Sequence, residues 1–327
     1  MGEEKEKHWY GFDWLRVTFI AFVIAMHLNL AGENAGADPS WWDVVIADVL
    51  GVAVPGFLIM SYFLQVEARE DARAYARRLK RFGALYVFWV GLWFVWTWRG
   101  RDSMTLGPVE FLLRGGGWTF YFFTVLLLLC PIARLAGAMN VRTACLWAAA
   151  LIGLNGVLLV AMASTGWIWT HVATYWWPLN FLAAPFIARV LAEPSVDRKW
   201  MLRGLFVAFV VSASLEWLAK APGWMVGPDR HFLPEYLRPS PILGGALAIT
   251  AALGVTSAPP AWLTFLSRNS LGIFCLHCFC LKRIVELTAV VTKLDMRWAA
   301  VVALPVTLFA MATASELLRR LFRERLI

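Results

Sequence analysis

Arg16 and His27 are the residues of this chain whose types and spacing most directly suggest chemistry. Both fall in the apolar run Phe12–Leu30, which is long enough to span a bilayer yet carries a cation near its start and an imidazole deep inside. Their separation of eleven residues returns a helix almost to its starting angle, so the side chains share one face about 16 Å apart along the axis. Ionisable groups are costly inside a spanning helix and usually face a cavity. A guanidinium is a rigid fork of donors suited to phosphates, and an imidazole titrates near neutrality and moves protons in both directions. On one line, the two suggest a long ligand lying along the helix.

Other chemistry-bearing residues surround this pair in the sequence. Arg69, Arg73, Arg77, Arg78, Lys80 and Arg81 crowd one short segment, with Arg78 and Arg81 three apart and so on one side of a helix. Such a cluster fits phosphate binding, and it fits equally the basic bias of any cytoplasmic loop. Asp13 lies three residues before Arg16, where it either orients the guanidinium or simply complements the helix dipole. Ser61 follows a Pro55-Gly56 pair that predicts a break in the helix, exposing it to a tunnel or to a bond within its own helix. Glu216 is the carboxylate expected mid-span, and it suits either acceptor hydroxyls or a neighbouring helix. His277 sits in Cys275-Leu276-His277-Cys278-Phe279-Cys280. Cys275 and Cys278 share a face, but Cys280 does not and no second ligand cluster follows, so no metal is expected. The five cysteines all lie in or beside apolar runs and offer no disulfide framework. Trp167, Trp169, His171, Tyr175, Trp176 and Trp177 form a loop without Lys or Arg, suited to stacking on sugar rings or to an interfacial belt. The proline-punctuated stretch 221–239 is long enough to cover an entrance.

The elements that must position these residues are membrane helices. Hydrophobic residues make up 60% of the 327, against roughly 45–50% in a soluble domain. The chain reads as an all-α polytopic integral membrane protein with ten spans: 12–30, 41–66, 82–98, 118–136, 143–163, 178–193, 203–219, 239–257, 263–281 and 298–318. The sixth is short enough to be tilted or partly re-entrant. Most Lys and Arg then fall on one side, which predicts both termini in the cytoplasm. The net charge of +8 is thus explained by topology rather than by nucleic acid. The first span is too long for a usual signal-peptide core and is kept as structure. A single transmembrane domain is expected over 1–327, with a cytoplasmic tail at 1–11 and a basic tail at 319–327.

Several segments carry a family resemblance. Phe12-Asp13-Trp14-Leu15-Arg16, ten intervening residues and His27 resemble the opening motif of the membrane-bound acyltransferase family 3. Gly56-Phe57-Leu58-Ile59-Met60-Ser61-Tyr62-Phe63-Leu64 is similar to its Phe-rich Ser-Gly-Phe-Leu segment, with Tyr62 in place of the glycine. Arg78-Leu79-Lys80-Arg81 resembles its Arg-x-x-Arg element, and Trp118-Thr119-Phe120-Tyr121 with Pro131 resembles its Trp-Phe-Leu-Tyr span. The run Leu266 to His277 is similar to its late Ser…Phe-Gly-Ile-Tyr-Leu-x-His span. These matches follow the family's order across nearly the whole chain, and they are closest to short members lacking a soluble hydrolase-like extension.

The resemblance implies an enzyme of the bacterial cytoplasmic membrane. It would move an acyl group, usually acetyl, from cytoplasmic acyl-CoA to a hydroxyl of a cell-envelope glycan or lipid-linked saccharide. His27 is then the general base, with Arg16 serving the catalytic line from the pyrophosphate or pantetheine arm. Arg78, Arg81 and Arg77 would hold the nucleotide phosphates, and Ser61 would line the thioester tunnel. Asp13, Glu216, His277 and Trp118 are supporting or acceptor-side candidates. Acyl-CoA is the expected co-substrate. The residues alone also admit a polytopic transporter of a lipid-linked or anionic substrate, although no internal repeat is visible. They admit, too, a structural or sensory membrane component without activity.

Overall fold

A computed structural model describes residues 8–28, 48–68, 70–97, 111–112, 114–116, 120–165, 177–220, 235–294 and 296–321. Among these residues the protein is helical, without a strand. The helices are α1 (Tyr10–His27), α2 (Ala53–Glu67), α3 (Ala72–Thr97), α4 (Tyr121–Ala138), α5 (Val141–Thr165) and α6 (Ala183–Leu191). They continue with α7 (Arg198–Lys220), α8 (Pro239–Ala252), α9 (Ala261–Arg268), α10 (Ser270–Thr292) and α11 (Met296–Leu321). Among the described residues four stretches are long and apolar enough to cross a membrane: Asp48–Glu67, Tyr121–Ala138, Val141–Met162 and Trp298–Leu321. Pro178–Leu191 and Pro239–Ala252 are shorter apolar helices. The first of these begins as a 3-10 turn at Pro178–Phe181 before α6, in keeping with the short sixth span expected there.

One expectation changes. The segment 263–281 is not one helix, because it divides at Asn269 into α9 and α10. The Asn269 amide donates to the Phe265 carbonyl at 2.9 Å while its side-chain oxygen accepts from Ser315 at 3.0 Å. A short polar side chain that bonds its own backbone competes with the helix ladder, and here it ends one helix as the next begins. Near Pro55-Gly56 the helical run 48–67 is interrupted by a turn at Val52, three residues before the proline, and α2 starts afresh from there. Pro55 lies in the first turn of α2, and Gly56 N donates to Val52 O at 3.0 Å.

The core centres on α2. Of the most apolar part of Asp48–Glu67, which includes α2, 72% is buried, against 22% for that of Val141–Met162 in α5. Around α2 stand α1, α4, α6 and α8. On the outside, Leu146, Leu154, Val157 and Val160 of α5 and Phe206, Val207 and Val211 of α7 are exposed. Apolar rows of this extent on a helical surface are lipid-facing in a membrane protein.

Glycines set how closely the inner helices approach. A β-carbon at Gly245 of α8 would stand 2.9 Å from the Gly56 nitrogen of α2, and one at Gly11 would collide with the Ala252 backbone. Small residues at such crossings let backbones pack directly, the attraction that membranes leave available in place of the hydrophobic effect. Gly245→Ala is therefore expected to destabilise the protein by about 1–3 kcal/mol through overpacking against backbone. Gly153→Ala, at a position with nothing within 4 Å, should be neutral or stabilising by up to about 1 kcal/mol. Thermal midpoints of the two variants in the same detergent check the contrast.

Candidate functional site

Helix α1 is a rod about 27 Å long that carries Arg16 in its second turn and His27 as its last residue, about 16 Å apart along the axis. At its first turn Asp13 is buried and fully engaged. Its Oδ1 accepts from Ser267 Oγ at 2.5 Å and faces Arg16 at 3.5 Å, while Oδ2 lies 2.8 Å from His8 Nε2. Ser267 belongs to α9, so the carboxylate ties the start of α1 to that helix. It also holds the Arg16 guanidinium, whose side chain is one-third exposed. Asp13 thus stands in the first turn, where a carboxylate complements the helix dipole, and also faces Arg16.

At the other end, His27 is the last residue of α1 and is exposed. Its ring faces that of His277 on α10, with centroids 5.1 Å apart and planes at 40°. His277 is fully buried. Its Nδ1 lies 2.6 Å from the Phe274 carbonyl, an acceptor only, so Nδ1 carries the hydrogen. The neutral ring then presents Nε2 as an acceptor, and that atom is buried without a hydrogen-bond partner among the described residues. The structure therefore brings together two histidines that lie 250 residues apart in sequence. His277 had looked close to a helix end, whereas α10 continues to Thr292 and places it in the first half of that helix.

The basic segment at the start of α3 is divided. Arg78 is half-buried and paired with Glu70, while Arg77 and Arg81 are exposed. Ser61 is half-buried on α2, four residues before the buried Gln65. Trp118, Arg69 and the tryptophan-rich stretch before Trp177 lie outside the described residues, as does most of 221–239.

Glu216 proves to be a helix-to-helix tie. It accepts from Ser212 at 3.0 Å within α7, and from the Ser240 amide at 3.0 Å and the Ser240 hydroxyl at the first turn of α8. Acidic side chains are favoured at a helix N-terminus, where amides lack intrahelical partners and the dipole is positive. In the cysteine cluster, Cys275 is buried and Cys278 donates to the Cys275 carbonyl. No group of three or more metal-ligating side chains occurs among the described residues.

Some polar residues were not singled out by sequence. Asp48 and Arg238 form an ion pair, with side chains 1% and 4% exposed. Asn155 donates to the Asn180 carbonyl at 3.1 Å, joining α5 to the 3-10 turn. Gln65 donates to the Cys130 carbonyl at 3.1 Å, joining α2 to α4. The available signal was a polar side chain inside an apolar run, which marks cost without naming the partner.

No curated protein and no solved structure matches this chain significantly. Residues 9–316 match the acyltransferase-3 family, described as an acyltransferase domain, so the match takes in both ends of α1, the basic start of α3 and the histidine of α10. The chain belongs to the acyltransferase-3 family of membrane acyltransferases.

Proposed function

We propose that the protein is an acyl-CoA-dependent O-acyltransferase of the bacterial cytoplasmic membrane. It transfers acetyl from cytoplasmic acetyl-CoA to a hydroxyl of a cell-envelope glycan or lipid-linked saccharide. The observation that carries this reading is the division of α1, with a carboxylate-paired arginine in its second turn and a paired imidazole at its last residue. In the reaction His27 takes the proton from the acceptor hydroxyl as that oxygen attacks the thioester carbon. The tetrahedral adduct collapses, the C–S bond breaks, and the imidazolium returns the proton to the departing CoA thiolate. Protonation and charge therefore balance over one turnover, and no covalent acyl-enzyme is needed. His277 packs against His27 and, being buried, keeps one side of that ring dry. Arg16, Arg78, Arg81 and Arg77 meet the donor's charged portion at the cytoplasmic end, and Ser61 faces its pantetheine arm.

The test is label transfer from radiolabelled acetyl-CoA by purified protein in lipid nanodiscs, supplied with a membrane saccharide extract. Acyl transfer with release of free CoA is expected, and mass spectrometry of envelope glycans from a deletion strain should lack one acetyl mass. A protein that moves labelled saccharide across vesicles but releases no CoA would be a transporter instead. Arg78→Ala and Arg81→Ala are each expected to raise the KM for acetyl-CoA about tenfold, the loss of one charge-assisted phosphate contact. Unchanged KM values in both would return that segment to a purely topological role.

A further inference from the structure

Beside the basic segment, α2, α3, α4 and α6 enclose a cleft of about 550 Å³ at the end of the bundle that carries Asp13 and Arg16. Its size falls in the range of small-molecule sites, and its walls are polar in a particular way. Gln65 is 5% exposed, its amide is spent on the Cys130 carbonyl, and its Oε1 is buried without a partner among the described residues. Glu70 Oε1 accepts from Arg78, and its Oε2 is likewise buried without a partner among them. Arg134 sits over the Tyr75 ring, 4.9 Å from its centroid, and carries no ion pair among the described residues. Arg189, by contrast, is committed to the Met139 carbonyl at 3.0 Å and to Glu193 at 2.9 Å.

Buried acceptors without donors are unfavourable and are normally satisfied. Two such acceptors, an aromatic ring and an unpaired guanidinium around one cleft describe the missing partner. It has N–H or O–H donors, a planar ring and an anionic group. We propose that the cleft binds the nucleotide end of the acyl-CoA donor, with the adenine amino group and ribose hydroxyls donating to Gln65 and Glu70 and a phosphate on Arg134. This rests on the acyl-CoA reading above and changes which cations serve it, since Arg134 was not among the residues marked for phosphate. The direction of the remaining arm follows. Gln65, Ser61 and Phe57 repeat every four residues on one face of α2. Phe57 meets Phe122 at 6.2 Å, Phe122 meets Phe274 at 5.5 Å, and Phe274 meets His277 at 6.0 Å. The α2 face thus leads from the cleft to rings that continue to the histidine pair.

The experiment compares acetyl-CoA with acetyl-pantetheine, which lacks the nucleotide, in wild-type protein, Arg134→Ala and Gln65→Leu. Direct binding of adenosine 3′,5′-bisphosphate is measured by calorimetry alongside. The expected result is a KM for acetyl-CoA raised about tenfold or more in Arg134→Ala, with the KM for acetyl-pantetheine unchanged. The bisphosphate should bind wild-type protein, compete with acetyl-CoA, and lose affinity in both variants. Equal KM values for acetyl-CoA in all three proteins, or bisphosphate binding that both variants retain, overturns the proposal. Bisphosphate binding that does not compete with acetyl-CoA also overturns it, and makes the cleft a site for a free nucleotide. If the wild type transfers from neither thioester, the O-acyltransferase reading fails; bisphosphate binding lost in the variants then still reports on the cleft.

Discussion

Alanine at His27 is expected to lower acyl transfer by about 10²–10⁴-fold, the usual contribution of a general base. The KM for acetyl-CoA should stay near the wild-type value, since the groups assigned to the nucleotide sit at the far end of α1 or beyond it. Folding should survive, because His27 is the exposed last residue of its helix and removes little packing when truncated. The pH profile supplies an independent readout. A general base works when unprotonated, so wild-type turnover should fall on the acid side as the imidazole charges, and that limb should be absent from the residual activity of His27→Ala. Radiolabel transfer across a pH series, with thermal midpoints as a folding control, measures both. A His27→Ala protein that retains full transfer would show that another group takes the proton. Equal loss of acetyl-CoA affinity would instead give His27 a place in donor binding.

The pair that prompted this mechanism was legible because both members lie on one helix, where spacing alone fixes the relative direction. The same periodicity places Asp13 near Arg16, and the structure shows that contact. What spacing could not reveal was any partner on another helix. His277 and Glu216 were suspect for their cost, but which neighbours they meet depends on how α10 and α8 pack. The first turned out to face His27 and the second to bind the first turn of α8. The Asn269 break between α9 and α10 was hidden for a related reason. Apolar periodicity runs through the junction, while the residue that ends the helix acts through Ser315 of α11. Tyr75, Arg134 and Gln65 are each ordinary in sequence. They become a site only when the ends of three helices converge.

Loss of the buried ion pair between Asp48 and Arg238 should produce the largest change in stability. With both side chains almost completely enclosed, truncating one removes the charge that directly faces the other in a low-dielectric interior, a change that costs about 3–5 kcal/mol. Arg238 immediately precedes Pro239, the first residue of α8, and Glu216 engages the next residue, Ser240. The start of α8 is therefore anchored twice, to the segment before α2 through Asp48 and to α7 through Glu216. From that anchored start α8 runs along α2 at Gly245 and reaches Gly11 of α1 at Ala252. Arg238→Met should accordingly lower the thermal midpoint sharply and also reduce transfer, because a loosened α8 releases the helix that carries His27. In Asp48→Leu/Arg238→Met both members of the pair are removed together, so stability should return to within about 1–2 kcal/mol of wild type. Transfer should recover with it. A double variant as unstable as the single ones would mean that the pair contributes specific contacts beyond mutual charge compensation. Single variants within about 0.5 kcal/mol of wild type would show that the remaining surroundings of Asp48 compensate its charge, leaving the Glu216–Ser240 contact to hold α8.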